Sequence, residues 1–196
     1  MAHAARLPSR PDRAAAGPDR EGPDREAPLR LFHVSDEGPF TTMRPRPSPA
    51  GTPFEGREWV WAVDEERLPN YLLPRQCPRV CWAAGPAAPA ALLSSPAARV
   101  IAVEHGWVPH LVRAGLNVHL LDPAGFTLLD ATAGYWVSDR DVRVEDVRRV
   151  ENSFTALAEY DVEIRSTPSL WPYVDAVVAA EAEFSCIRLR NARPRG

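Results

Sequence analysis

The sequence predicts an α+β domain of mixed, mainly antiparallel sheets with short helices, on three observations. β-Prone segments follow one another closely between residues 99 and 150, separated by turn residues. Helical patterns are short and scattered among them, and the regular strand–helix–strand alternation of a doubly wound sheet is missing. At 196 residues the chain has the length of one ordinary domain able to bury a sizeable core.

The elements follow in order. Residues 1–28 repeat Pro-Asp-Arg at Pro11, Pro18 and Pro23 and carry almost no large apolar side chain, so a disordered tail is expected there. A single folded domain is expected over 29–192, with a second short tail at 193–196. "RLFHVS" reads as a strand with Phe32 and Val34 on one face and Leu31, His33 and Ser35 on the other. The prolines of "RPRPSPAGTP" make a loop, and "EWVWAV" is a strand with Trp59, Trp61 and Val63 on one face. "DEERLPNYLLPR" opens like a helix that Pro69 and Pro74 keep short. "WAAGPAAPAALLSSPAA" is broken by Pro86, Pro89 and Pro96 into a loop with one short helical turn.

"ARVIAVE" has the continuous apolar run of a buried strand, and "GWVPHLVRAG" a short helix closed by Gly115. "NVHLLD", "GFTLLD" and "GYWVSDRDVRV" are three strands, "SFTALAEY" a short helix and "DVEIRS" a strand. "SLWPYVDAVVAAEA" places Leu170, Tyr173, Val174, Val177 and Val178 on one helical face, and "EFSCIRL" ends the domain as a strand.

Composition narrows the function classes. A formal net charge of -3 gives no electrostatic reason to expect nucleic acid. All 23 basic residues are arginine, which together with abundant alanine and proline points to coding bias more than to recognition chemistry. No run approaches the roughly 20 apolar residues that span a bilayer. Three cysteines and no signal segment argue against a disulfide-stapled secreted domain, so a cytoplasmic location is expected. Neither G-x-G-x-x-G, a Walker sequence nor G-x-S-x-G is present.

Several side chains have the chemistry for a site. His33 and Ser35 project the same way, into a cleft where they bind sugar hydroxyls or along a polar strand edge. Arg75 and Arg79 stand between prolines and, with Arg44 and Arg46, form an anion site or decorate loops. Tyr71 stacks on a flat ring or belongs to the core. Glu104 ends a buried strand, and Glu183 starts the last one in "EAE"; carboxylates so placed line clefts or cap elements in solvent. Cys77 and Cys81 with His105, His110 and His119 lack the paired hooks of structural zinc; Pro78 and Val80 suit one extended strand that aims both cysteines to the same side as ordinary buried or half-buried residues, and no metal is expected.

"LFHVSDEGPF", "VWAVDEERLPNYLLPRQCPRV", "AGYWVS" and "FSCIRLRNA" resemble an uncharacterised bacterial family, a domain of unknown function. More distantly, "FHVS" resembles the first motif of the ADP-ribosyltransferase-like fold, which includes RNA 2'-phosphotransferases. That resemblance implies a split sheet and NAD as cofactor, with His33 and Ser35 on a ribose and Tyr71 on nicotinamide. It also implies a glutamate heading a late strand, but "AGYWVS" has Gly134 and Tyr135 there, leaving Glu183 or Glu104 to serve as the catalytic acid. The expectation is therefore a nucleotide-like ligand and ADP-ribosyl transfer. Its alternative is a non-catalytic module that recognises a ligand or a partner protein, with neither nucleic acid nor membrane involved.

Overall fold

The computed structural model describes residues 28–48, 54–84, 91–180 and 183–195. Residues 1–27 of the expected tail lie outside them. Two sheets form an α+β domain. The larger contains β1 (Leu31–Ser35), β2 (Thr42–Met43), β3 (Arg46–Pro47), β4 (Glu58–Asp64), β7 (Leu116–Leu121), β8 (Thr127–Asp130), β9 (Tyr135–Ser138) and β10 (Val142–Val150). Its order is β2-β10-β7-β1-β4-β9-β8, with β3 beside β4. The smaller contains β5 (Arg79–Ala83), β6 (Arg99–Glu104), β11 (Val162–Thr167) and β12 (Phe184–Ile187), ordered β11-β6-β5-β12. Every strand pair is antiparallel except β6 with β11. Among the described residues three short α-helices accompany the sheets: α1 (Val108–Val112), α2 (Ser153–Leu157) and α3 (Trp171–Ala180).

Side-chain alternation sorts the strands into three cores. Phe32, Val63 and Val118 from the larger sheet meet Cys81, Ile101 and Val103 from the smaller one, with Leu111 of α1 and Leu157 of α2 among them. The opposite face of the larger sheet collects Leu31, Val60, Ala62 and Leu121 under Met43 and Phe40. The opposite face of the smaller sheet packs Val80, Trp82, Val100 and Ala102 on Leu170 and Val177. The period of two therefore holds: Phe32 goes to one core and Leu31 to another, while Val63 and Val60 part in the same way. Asn152 starts α2 by accepting the Phe154 and Thr155 amides on its side-chain oxygen at 2.9 and 3.3 Å, a cap that contributes about 1 kcal/mol.

Four expectations need correction. "GYWVSDRDVRV" is two strands, β9 and β10, because the polar run Asp139–Asp141 turns the chain between them. The segment after β4 is a 3₁₀ turn over Leu68–Tyr71, since Pro69 cannot donate and Pro74 follows closely. Val178 is 58% exposed although Leu170 and Val177 are fully buried, because it falls at the margin of the helical stripe. Cys77 precedes β5 in a loop and does not share a strand with Cys81, yet both are buried, and burial pushes each thiol up to about 12. Residues 193–195 contact α3. The Arg193 carbonyl accepts Trp171 Nε1–H at 2.8 Å, and the Arg195 guanidinium meets Asp175. No helix among the described residues is long and apolar enough to cross a membrane.

Candidate anion-binding site

β1 leaves β4 after two residue pairs, Leu31 with Asp64 and Phe32 with Val63. The His33 imidazole takes over the third position: its Nδ1–H donates to the Trp61 carbonyl at 2.8 Å. Burial lowers the His33 pKa, the hydrogen bond to Trp61 partly restores it, and His119, Arg75 and Arg46 push it down again. His33 is thus a neutral imidazole with Nε2 as an acceptor, within reach of the charges of Arg75 and Arg46. Ser35 is buried, and its Oγ accepts the Glu37 amide at 3.0 Å, so it builds the turn that leaves the strand.

Two tyrosines stand beside this gap. The Tyr71 and Tyr135 hydroxyls are 2.6 Å apart, and the Tyr135 ring meets Trp61 edge-on at 5.8 Å between centroids. Burial, then the Tyr135 hydroxyl, raises the Tyr71 pKa, so the Tyr71 ring stays neutral.

The arginines divide by role. Arg79 is 2% exposed and donates Nε to the Asn70 carbonyl at 2.8 Å and Nη1 to the carbonyls of Cys77 and Pro74 at 2.9 and 3.3 Å. Its guanidinium also lies 5.8 Å from the Tyr71 ring centre. Arg79 therefore shapes the loop 70–78 from inside, and Arg75 projects from that loop into solvent. A second turn is clamped to the same loop. Arg188 Nε donates to the Arg75 carbonyl at 3.3 Å, and Asn191 Nδ2 donates to the Gln76 carbonyl at 2.7 Å and to its Oε1 at 3.1 Å.

Arg188 is, among the described residues, the one non-glycine residue with positive φ, at 57°. Left-handed backbone costs a side-chain-bearing residue roughly 1–2 kcal/mol. Burial, then Arg190, Arg75 and Arg79, lower its pKa. Among the described residues no carboxylate ion-pairs with Arg75, Arg188 or Arg190. Arg46 is shared: it reaches Glu37 at 3.3 Å, covers the Phe40 ring and borders an open groove of about 510 Å³ lined by residues 39–44.

The carboxylates lie elsewhere. Glu183 is bound by Arg99 at 3.0 Å and Arg67 at 3.3 Å, and Glu104 accepts the Arg193 amide on both oxygens at 3.1 Å. Neither shares a contact with His33. At Gly134, where the resemblance implies a glutamate, φ is +65° and a Cβ would stand 2.5 Å from Asp64 Oδ2. The carboxylate in that space comes from the neighbouring strand. Asp64 Oδ1 accepts the Arg67 amide at 2.9 Å, while Oδ2 lies 3.5 Å from Arg67 Nη1.

The structure thus brings His33, Tyr71, Arg75 and Arg79 to one locality, sets Ser35 beneath the adjoining turn, and adds Tyr135, Arg188 and Arg190. "RLR" offered a signal for the last two, arginines spaced by two at the end of a strand, but not the turn that carries them. The family model of a family of unknown function (DUF6886) matches residues 32–192. The chain belongs to this family. The match runs from β1 of this DUF6886 domain to the turn that carries Arg188, so the segments that build the site are inside it. No curated protein and no solved structure matches the chain.

Proposed function

We propose that this DUF6886 domain binds a phosphorylated ligand bearing an aromatic ring, a nucleotide such as NAD. The observation that carries the reading is the convergence of Arg75, Arg188 and Arg190, with no carboxylate ion-paired to them among the described residues, on two turns clamped to each other. Gathering like charges is unfavourable, and an anion bound among them adds an attraction to each that offsets the repulsion. Guanidinium groups grip phosphate bidentately. Tyr71 and Tyr135 supply the adjoining aromatic wall, and His33 Nε2 accepts a sugar hydroxyl; Ser35 and Arg79 hold the two loops in place.

Titration calorimetry with NAD, ADP, AMP and pyrophosphate tests this at low and at about 0.15 M salt, where surface charge is screened beyond roughly 8 Å. Binding that weakens with salt and is lost in Arg75→Ala is expected. No heat at millimolar ligand in either salt would remove the reading.

A second reading, ADP-ribosyl transfer, is favoured by one observation: the Asp64 carboxylate fills the space beside Gly134. Negative charge there would stabilise the oxocarbenium-like charge that develops as the nicotinamide bond breaks. Nicotinamide release from NAD that falls in Asp64→Asn and persists in Glu183→Gln and Glu104→Gln supports it. Absence of release from a protein that binds NAD leaves the binding module.

A further inference from the structure

The geometry points to His119 as a proton-operated latch: protonation of its ring releases the loop 36–46 and withdraws Arg46 from His33. This deepens the anion-site reading by giving that site a control, and the latch itself is testable without a ligand.

His119 is fully buried in β7, opposite His33 on β1 and Val147 on β10. Its two ring nitrogens have opposite duties. Nδ1–H donates to the His33 carbonyl at 3.2 Å, which leaves Nε2 with a lone pair, and Nε2 accepts the Phe40 amide at 3.3 Å. The Phe40 ring stacks on the imidazole at 5.5 Å with 25° between the planes. Gly38 passes so close that a Cβ would lie 3.2 Å from Nε2. The loop is thus closed directly over an acceptor that exists only in the neutral ring.

A proton on Nε2 sets N–H against N–H and puts a charge in a site with no nearby counter-ion. The groups around the ring are His33 from β1, Glu37 and Arg46 from the loop, Asn117 from β7 and uncharged Val147 from β10. Glu37 turns its carboxylate to Arg46 and its carbonyl to Asn117 Nδ2. On β10, Arg149 pairs with Glu151, and Asp146 accepts the Val147 amide. Among the described residues, none of these acids contacts the imidazole.

The other ties of the loop are the Ser35–Glu37 and Asn117–Glu37 hydrogen bonds, the Val144 amide on the Thr41 carbonyl at 3.0 Å and the short β2–β10 ladder, while β3–β4 pairing holds the Arg46 backbone and leaves its side chain to move. Arg46 lies over Phe40, 5.7 Å from the ring centre, so displacement of Phe40 removes its seat. Burial lowers the His119 pKa from 6.5, with hydrogen bonds to the His33 and Asn117 backbone opposing. The closed loop is therefore favoured above about pH 6.5, the value of a solvated ring, and loses that advantage as pH falls toward the lowered value. One proton changes the opening equilibrium roughly tenfold between about pH 7.5 and 5.5.

Hydrogen exchange of the Phe40 amide, corrected for the intrinsic rate, reads the opening in the full chain. A roughly tenfold rise in the open fraction over that range is expected. It is expected to vanish in His119→Gln, whose Oε1 still accepts the amide but does not titrate. Should that variant not fold, the imidazole nitrogen shifts of the native protein decide: the Nδ1–H tautomer must titrate in step with the exchange. Protection that stays flat with pH, or an equal slope in His119→Gln, overturns the latch. Pyrophosphate affinity is expected to fall more steeply over the same range in the native protein than in His119→Gln, where only the ligand's own protonation weakens it. Absence of binding at every pH removes the anion-site reading and leaves the exchange result to decide the latch.

Discussion

Arg188→Gly separates a binding residue from a structural one. Glycine adopts φ 57° freely, so the substitution relieves roughly 1–2 kcal/mol of backbone strain. It gives back about 0.5–1 kcal/mol through the greater entropy of the unfolded chain. Loss of the 3.3 Å hydrogen bond to the Arg75 carbonyl costs a further ~0.5–1 kcal/mol. Relief of repulsion from Arg190, Arg75 and Arg79 works the other way. The net change in stability lies within about 1 kcal/mol of zero, a shift in Tm of no more than about 4 °C. Binding behaves differently, because a lost charge-assisted phosphate contact is worth about 1.5–3 kcal/mol, roughly 10- to 150-fold in Kd. Differential scanning fluorimetry and calorimetry with ADP measure the two together. A Tm held within that range beside a Kd changed by less than threefold would refute the assignment of Arg188 to the site, and a large fall in Tm would make its role structural.

Two further substitutions test the scaffold. Arg79→Met leaves the Asn70, Pro74 and Cys77 carbonyls without their shared donor, and a loss of about 3–5 kcal/mol is expected from urea unfolding followed by tryptophan fluorescence; a loss below about 1 kcal/mol would show that the loop closes without it. Gly134→Ala drives a Cβ to 2.5 Å from Asp64 Oδ2 at φ +65°, and about 2–4 kcal/mol should be lost. Adding Asp64→Ala removes the clash, so the double variant should be more stable than the sum of the single losses, and simple additivity would count against the contact.

The fold was legible wherever a local pattern had one physical solution. "ARVIAVE" is apolar without alternation because β6 is covered on both faces, by the inter-sheet core and by α3. "FHVS" and "WVWAV" alternate because the two faces of the larger sheet feed different cores. "YWVSDRDVRV" misled because β-prone residues continue on both sides of Ser-Asp-Arg-Asp, and only the pairing of β9 with β4 and of β10 with β7 reveals the turn. The parallel pairing of β6 with β11 is equally non-local: its partners are joined through β7 to β10 of the larger sheet, and nothing in either segment encodes the direction.

Site residues follow the same division, and His33 shows why. Its place on a strand could be read from its neighbours, but its neutrality depends on burial first and then on His119, Arg75 and Arg46, against the opposing Trp61 hydrogen bond, and these come from four other segments. Arg75 and Arg79 looked equivalent in "PRQCPR", yet one projects outward and the other spends its donors on carbonyls, because the loop closes around the second. The missing glutamate at Gly134 is the sharpest case. A motif is a statement about one chain segment, whereas a cleft needs charge at a point in space, and Asp64 delivers that charge from an adjacent strand that a comparison of motifs would never align with it. The proposed ADP-ribosyl transfer would turn on whether a carboxylate already tied to Arg67 is available to a substrate, which makes Arg67→Gln the informative companion to Asp64→Asn. Removal of the cation while the carboxylate stays should raise nicotinamide release if Asp64 is the acting group, and should leave it unchanged if Asp64 only caps the turn.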